Sequence, residues 1–246
     1  MTSVQGARAR ARIEITAAIK DEARTQLAAE GAARLSLRAV ARELGMVSSA
    51  LYRYFPSRDD LLTALIVDAY DAVGAAAERA DGAAGPDDPI GRWTAVCRAV
   101  RDWAVAHPHE YALIYGSPVP GYTAPQDTVG PASRVGLVLI AIARDALAAD
   151  GIALPPLSPE LRPEAERLAA DVAPDLPPAL AVTLVAAWSQ LFGLVSFEVF
   201  GQFNRIVEDR DTFFTSAATR LAHEVGLLPR TKRPARTRTQ PRTGRA

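Results

Sequence analysis

Along most of the chain apolar residues recur at i, i+3, i+4 and i+7, alanine is frequent, and no run alternates β-branched and polar residues as a half-buried strand does. The pattern predicts an all-α protein of roughly nine or ten helices. Glycine and proline punctuate it at Gly31, Gly45, Pro56, Asp81 to Pro89, Gly116 to Pro131, Gly151 to Pro163, Pro174 to Pro178 and Gly226 to Pro229. The first helix is expected from Arg8 to Glu30, with Ile15, Ile19, Ala23 and Leu27 on one face and Gly31 as its C-terminal cap.

Two short helices follow. Ser36 is placed to cap the first, in which Leu37, Val40, Ala41 and Leu44 form a buried stripe while Arg38, Arg42 and Glu43 face out. Gly45 ends it after two turns. Val47 to Tyr54 is read as the second, with Ala50, Leu51 and Tyr54 inward and Ser48, Ser49, Tyr52 and Arg53 outward. After Pro56, Ser57-Arg58-Asp59-Asp60 matches a capping box that opens a long helix to about Ala80, returning Leu61, Leu62, Leu65 and Ile66 to the core.

A pair of short helices joined at a glycine has the dimensions of a helix-turn-helix. A helix entering the major groove needs small residues at its N-terminal end and flanking donors to fix its register on phosphates. Ser48, Ser49 and Ala50 meet the first need, and Tyr52, Arg53, Tyr54 and Arg58 the second. Charge agrees with a polyanionic partner at the ends of the chain. The formal net charge is zero, yet residues 1–58 hold 10 basic and 5 acidic groups, residues 59–228 hold 11 and 23, and residues 229–246 hold 7 and 0.

The run from Leu37 to Gly45, followed by Met46 to Leu61, resembles the DNA-binding domain of the TetR family of bacterial transcriptional regulators over about Ile15 to Leu65. The likeness is carried by Val40-Ala41, Gly45 and Leu51-Tyr52-x-Tyr54-Phe55-x-x-Arg58, where the family usually shows Leu-Tyr-x-His-Phe-x-x-Lys. Tyr54 for His and Arg58 for Lys are departures that keep a hydrogen-bond donor. The resemblance implies base-reading roles for Ser48 and Ser49, a base or nearby-phosphate contact for Arg38 and a thymine-methyl contact for Ala50. It implies phosphate contacts for Tyr52, Tyr54 and Arg58, with Ser36 donating to the backbone as well as capping. Tyr54 and Phe55 can equally serve as core aromatics. Arg8, Arg10 and Arg12 form a basic arm that either reaches phosphates or is a frayed terminus.

In that family the remainder is a helical dimerisation domain that often holds a small molecule. The expected division is therefore a reader over 1–57, a ligand-binding and dimerisation domain over 58–228, and a disordered basic tail over 229–246. Trp93, Val96, Val100 and Trp103 form a large apolar stripe, and a helix is expected over Val135 to Leu147. Trp188-Ser-Gln-Leu-Phe192-Gly193 is similar to the Trp-x-x-x-His-Gly of one subgroup, with Phe192 in place of the His. An apolar effector pocket is expected to be lined by Trp93, Trp103, Tyr111, Ile114, Tyr115, Trp188 and Phe192. Leu176 to Phe197 carries no charge over 22 residues, long enough to span a membrane. Its starting prolines, small residues and following Glu198 instead suit a helix buried in a protein interior or dimer seam, forming with Asp209 to Val225 half of an intersubunit bundle.

The remaining chemistry is sparse. Cys97 alone makes no disulfide framework and is read as a buried small hydrophobe; His107 and His109 lack a third metal ligand at a suitable spacing. No Ser/His/Asp set, phosphate-cradling glycine loop or paired catalytic carboxylates mark an enzyme such as a helical transferase. The N-terminus lacks the apolar core of a secretory signal. The expectation is a cytoplasmic, cofactor-free homodimer that binds a palindromic duplex operator and is released by a small apolar or aromatic effector; activation, or control by a protein partner, is the alternative.

Overall fold

The structure is a computed structural model that describes residues 2–229. Among them are ten α-helices and no β-strand: α1 (Thr2–Glu30), α2 (Leu37–Glu43), α3 (Ser48–Leu51), α4 (Arg58–Ala83), α5 (Pro89–Ala106), α6 (Pro108–Tyr115), α7 (Val129–Ala148), α8 (Arg162–Val172), α9 (Pro178–Val199) and α10 (Arg210–Val225). The protein is all-α, with an N-terminal three-helix unit that holds the two short helices expected at the turn, followed by a helical C-terminal domain. From residue 230 on, the expected basic tail lies outside the described residues.

Helix termini follow the local chemistry. Ser36, Ser57, Asp88 and Asp209 each accept a backbone N–H in the first turn of α2, α4, α5 and α10, relieving donors that the helix itself leaves unpaired. Helix α1 starts at Thr2 rather than Arg8. Helix α3 is shorter than expected: it covers Ser48–Leu51, and Tyr52 to Tyr54 form a tightened turn in which Arg53 N–H donates to Ala50 (3.2 Å) and Tyr54 N–H to Leu51 (2.8 Å). Pro56 explains the stop, because the residue before a proline is pushed out of the α region.

The headpiece core joins Ile19, Ala23 and Leu27 of α1 to Leu37, Val40 and Ala41 of α2, with Leu51, Phe55 and then Leu61, Leu62 and Leu65 of α4. The second core begins farther along the same helix, at Ala69, Val73 and Ala77, and gathers α5, α7, α9 and α10. Helix α4 therefore has its first two turns in one core and the rest in the other. Ser57 is the N-cap of α4, and both cores share that helix.

Three arginines fix how the helices of the larger domain cross. Arg92 of α5 grips Asp81 at 2.7 and 3.1 Å and reaches Asp145 of α7 at 2.8 Å. Arg134 of α7 holds Glu78 at 2.8 and 2.7 Å and Asp71 at 2.7 Å, both on α4. Buried Arg101 of α5 makes a two-pronged pair with Glu198 of α9 at 2.6 and 2.7 Å and a further bond to Asp211 of α10. Planar guanidinium groups suit such paired recognition, and one bond alone would leave a buried charge short of partners.

Helix α9 is, by length and composition, long and apolar enough to cross a bilayer. It packs on α5, α8 and α10, burying Leu180, Leu184, Leu191 and Val195. Within one chain it is not covered all round: Ala186, Gln190, Gly193 and Phe197 stay exposed along one stripe. The chain closes at Gly226, in the left-handed region at φ 98°, where an added Cβ would meet Ala153 O at 2.0 Å. That close approach seats the antiparallel bridge between Ile152 and Leu227.

Candidate nucleic-acid interface and effector domain

The reader is built by two short helices set at an angle by the turn between them. Gly45, at φ 63°, takes the left-handed backbone that ends α2, and Met46 N–H donates to Ala41 at 2.8 Å, redirecting the chain toward α3. Ser48 and Ser49 are exposed and Ala50 half-buried, and no side chain caps the N-terminus of α3. Its first N–H groups and two hydroxyls therefore face solvent together, a donor-rich end suited to base edges or phosphates.

Around this end the structure gathers several of the residues expected to contact DNA. Ser36, Arg38, Tyr52 and Arg58 line one shallow surface depression. Arg38 and Arg53 are exposed, and Tyr52 keeps 42% of its surface free. Tyr54 is half-buried against the headpiece core, with the Arg12 guanidinium 5.3 Å from its ring centre. Arg12 is thereby braced against the reader, while Arg8 and Arg10 remain exposed on α1.

Arg58 is engaged internally. Its guanidinium donates to the carbonyls of Leu35 (3.2 Å), Ala32 (2.8 Å) and Ala33 (3.4 Å), closing the short 3-10 turn before α2 onto the start of α4. Its geometry is that of a clasp that positions α2.

The seven aromatic and branched residues expected around an effector do not share one cavity. Trp93, Trp103, Tyr111 and Phe192 belong to the packed core, and the buried Trp93 indole N–H has no hydrogen-bond partner. Trp103 stacks on His107 at 5.4 Å, and His107 Nδ1 lies 2.9 Å from the Trp103 carbonyl. The Tyr111 hydroxyl donates to Phe192 O at 3.2 Å and bonds Ser196 Oγ at 2.8 Å; burial pushes its pKa up to about 12, against the lowering pull of Ser196.

Ile114 is half-buried, and its carbonyl accepts from the Tyr70 hydroxyl at 3.3 Å. Tyr115 lines a cleft between headpiece and larger domain, together with Gly31, His109, Ser117 and Phe200. Trp188 alone of the seven lines a separate apolar hollow between α7, α8 and α9. The residues that share that hollow, among them Gly136, Leu137, Leu168 and Val172, were missed. Sequence gives only a weak signal for them, a glycine inside an otherwise apolar helix.

A charged junction ties the reader to the larger domain. Lys20 and Arg24, one turn apart on α1, both donate to Asp68 of α4, at 2.8 and 2.7 Å, and Arg24 also reaches Glu110 of α6 at 3.2 Å. Thr63 of α4 bonds the Tyr122 hydroxyl at 2.9 Å. These residues were missed as well; cations one turn apart beside a buried stripe were the signal. No cluster of potential metal ligands occurs among the described residues.

Residues 19–65 match the family described as bacterial regulatory proteins, tetR family, and residues 93–221 match the tetracyclin repressor-like C-terminal domain. The HTH-type transcriptional regulator Rv1816 of Mycobacterium tuberculosis is 43% identical over 205 residues, covering 80% of this chain and 86% of its own. The regulatory protein SCO4313 is 33% identical with a TM-score of 0.73, covering 87% of this chain and 98% of its own. A bacterial regulatory protein in the tetR family from Rhodococcus RHA1 shares the fold at a TM-score of 0.60 and 17% identity, over 86% of this chain and 97% of its own.

Proposed function

This chain belongs to the TetR family of bacterial transcriptional regulators, and from that premise we propose that it is a homodimeric, ligand-responsive repressor of the cytoplasm that binds a palindromic operator. The observation that carries the reading is the exposed N-terminal end of α3, with Ser48 and Ser49 free. Small hydroxyl residues there allow close approach to base edges. Arg38 reads beside them, Ala50 contacts a thymine methyl, Tyr52, Arg53 and Tyr54 hold phosphates, and Ser36 and Arg58 keep α2 in register. Activation remains the alternative mode of the same DNA-bound dimer.

One such headpiece makes too few contacts for specificity, so two are needed about 34–36 Å apart to meet successive major grooves. The exposed stripe Ala186, Gln190, Gly193 and Phe197 on α9 supports pairing with the same stripe of a second copy. Its small residues let two helices approach closely, and α10 completes a four-helix bundle about a two-fold axis.

Release requires a ligand that prefers a different spacing of the readers. To weaken the operator about 100-fold, it must favour the released conformation by about 2.7 kcal/mol. Helix α4, held in both cores, is the lever, and the Lys20/Arg24 junction with Asp68 and Glu110 joins the lever and α6 to α1. The test is selection of bound sequences from a random duplex pool at physiological salt. Enrichment of a palindrome that also represses a reporter supports the reading; a folded dimer that enriches no sequence would overturn it.

A further inference from the structure

Helices α7, α8 and α9 line a half-open hollow of about 240 Å³ that none of the packed aromatic core residues reaches. Gly136, Leu137 and Ile140 come from α7, Leu168 and Val172 from α8, and Trp188 from α9. No lining residue is ionisable, and the sole hydroxyl, Ser133, donates to Gly130 O at 2.8 Å, leaving its oxygen free only to accept. An ion entering here would give up its hydration with no charge to meet it.

Three large apolar side chains at the rim are left in water: Leu137 at 53%, Val172 at 46% and Trp188 at 38% exposure. Covering them is favourable, and a concave site is filled best by a compact molecule. About 150 Å³ suffices for benzene in an apolar cavity, so the space here suits one or two rings. The row of α9 that lines it is not the row proposed above to meet a second copy. Ala181, Leu184 and Trp188 of α9 face the hollow, whereas Ala186, Gln190, Gly193 and Phe197 form a different row of the same helix.

The hollow is also joined to the lever. The Trp188 ring lies 5.5 Å from Phe192, Phe192 stacks on Tyr115 of α6 at 4.2 Å, and Tyr115 meets Tyr70 of α4 edge-on at 5.9 Å. A molecule that displaces Trp188 therefore pushes on a continuous row of rings ending on the helix that carries the reader.

We propose that this hollow is the effector site and that its ligand is an uncharged one- or two-ring apolar molecule carrying at most one hydrogen-bond donor, aimed at Ser133. The proposal rests on the ligand-responsive reading above. It moves the site away from Trp93, Trp103 and Tyr111 and assigns it to α7, α8 and the Trp188 face of α9.

Gly136 provides the test. A Cβ added there meets no heavy atom within 4 Å, so Gly136→Leu fills the hollow without a backbone clash and favours the helix. The probe is 1-aminonaphthalene, neutral at pH 7 and fluorescent, titrated into the full chain beside its sulfonated analogue. We expect saturable binding of the neutral probe, with affinity at least about tenfold weaker for the sulfonate and for Gly136→Leu at an unreduced melting temperature. Leu137→Glu, on the exposed rim, is expected to weaken binding similarly. Equal binding by wild type and both variants, or no binding to wild type, would overturn the site. Operator affinity is read in the same samples: tight binding that leaves the wild-type operator complex intact would overturn the ligand-release reading and leave the hollow as a binding site.

Discussion

Arg24, on the helix that underlies the DNA reader, donates its Nε–H to Glu110 of α6 across 3.2 Å. The next residue of α6 is Tyr111, whose side chain is fully buried and bonded to α9. A shift of α6 by one ångström, of the kind that packed cores pass on without absorbing, therefore changes the length of this ion pair. Asp68 shares the same guanidinium, so α1, α4 and α6 meet at one charged group.

Glu110→Gln should leave the fold intact and loosen that meeting. The pair is part-exposed, with Arg24 at 30% and Glu110 at 20%, so its worth is at most about 1 kcal/mol. Operator affinity of the ligand-free protein is expected to fall by no more than about fivefold, and the loss should shrink with added salt beyond the ordinary salt dependence of DNA binding. Electrophoretic mobility shift at two salt concentrations checks this. A change in melting temperature with unchanged DNA binding would refute the coupling.

Arg58→Ala separates scaffolding from contact. The side chain closes three carbonyls onto the start of α4, and their loss should cost roughly 1–3 kcal/mol in urea unfolding. Lysine, lacking the planar fork, should restore little of it. Tyr52→Phe is the contrasting case: with its side chain on the surface, it should leave stability unchanged and weaken binding to all sequences alike. Ser48 and Ser49 substitutions should instead alter which sequence is selected.

Much of the reader was legible because its chemistry is local. Ser36 and Ser57 cap helices, Gly45 turns the chain and Pro56 stops it, each within a few residues of the effect. The larger domain was legible as helices but not as a site. Trp93, Val96, Val100 and Trp103 recur at helical spacing, which tells that a face is buried and not whether protein or ligand covers it. Here it packs into the core shared with α4, α7, α9 and α10. Arg24 and Glu110 meet across 86 residues, and Gly136 faces Trp188 across another helix gap; no local pattern encodes such pairs.

Cys97 should be chemically silent. Its side chain is fully buried, and burial pushes the thiol pKa up, while the thiolate is the reactive form. Labelling by a disulfide reagent is therefore expected only as fast as the protein opens. The linkage sign follows: a folded pKa above the unfolded one gives stability that is complete below about pH 8.5 and declines above it, by about 1.4 kcal/mol per pH unit. Cys97→Ala should flatten that component of the alkaline slope in urea titrations. Rapid labelling of native protein would contradict the packing.

The exposed row on α9 makes the strongest prediction about assembly. Phe197 keeps 53% of its surface free and lies 5.7 Å from Phe203, which in turn lies 5.4 Å from Phe213 of α10, so an aromatic patch spans the two helices. Left in water it would be a costly surface; placed on a two-fold axis it is covered by its own copy. In the proposed dimer Phe197→Asp puts two carboxylates across that axis and should give a monomer in analytical ultracentrifugation with helicity retained. Operator affinity should then fall steeply, because one headpiece must bind without its partner, while each half-site keeps its sequence preference. Retention of both dimer and affinity would place the assembly surface elsewhere.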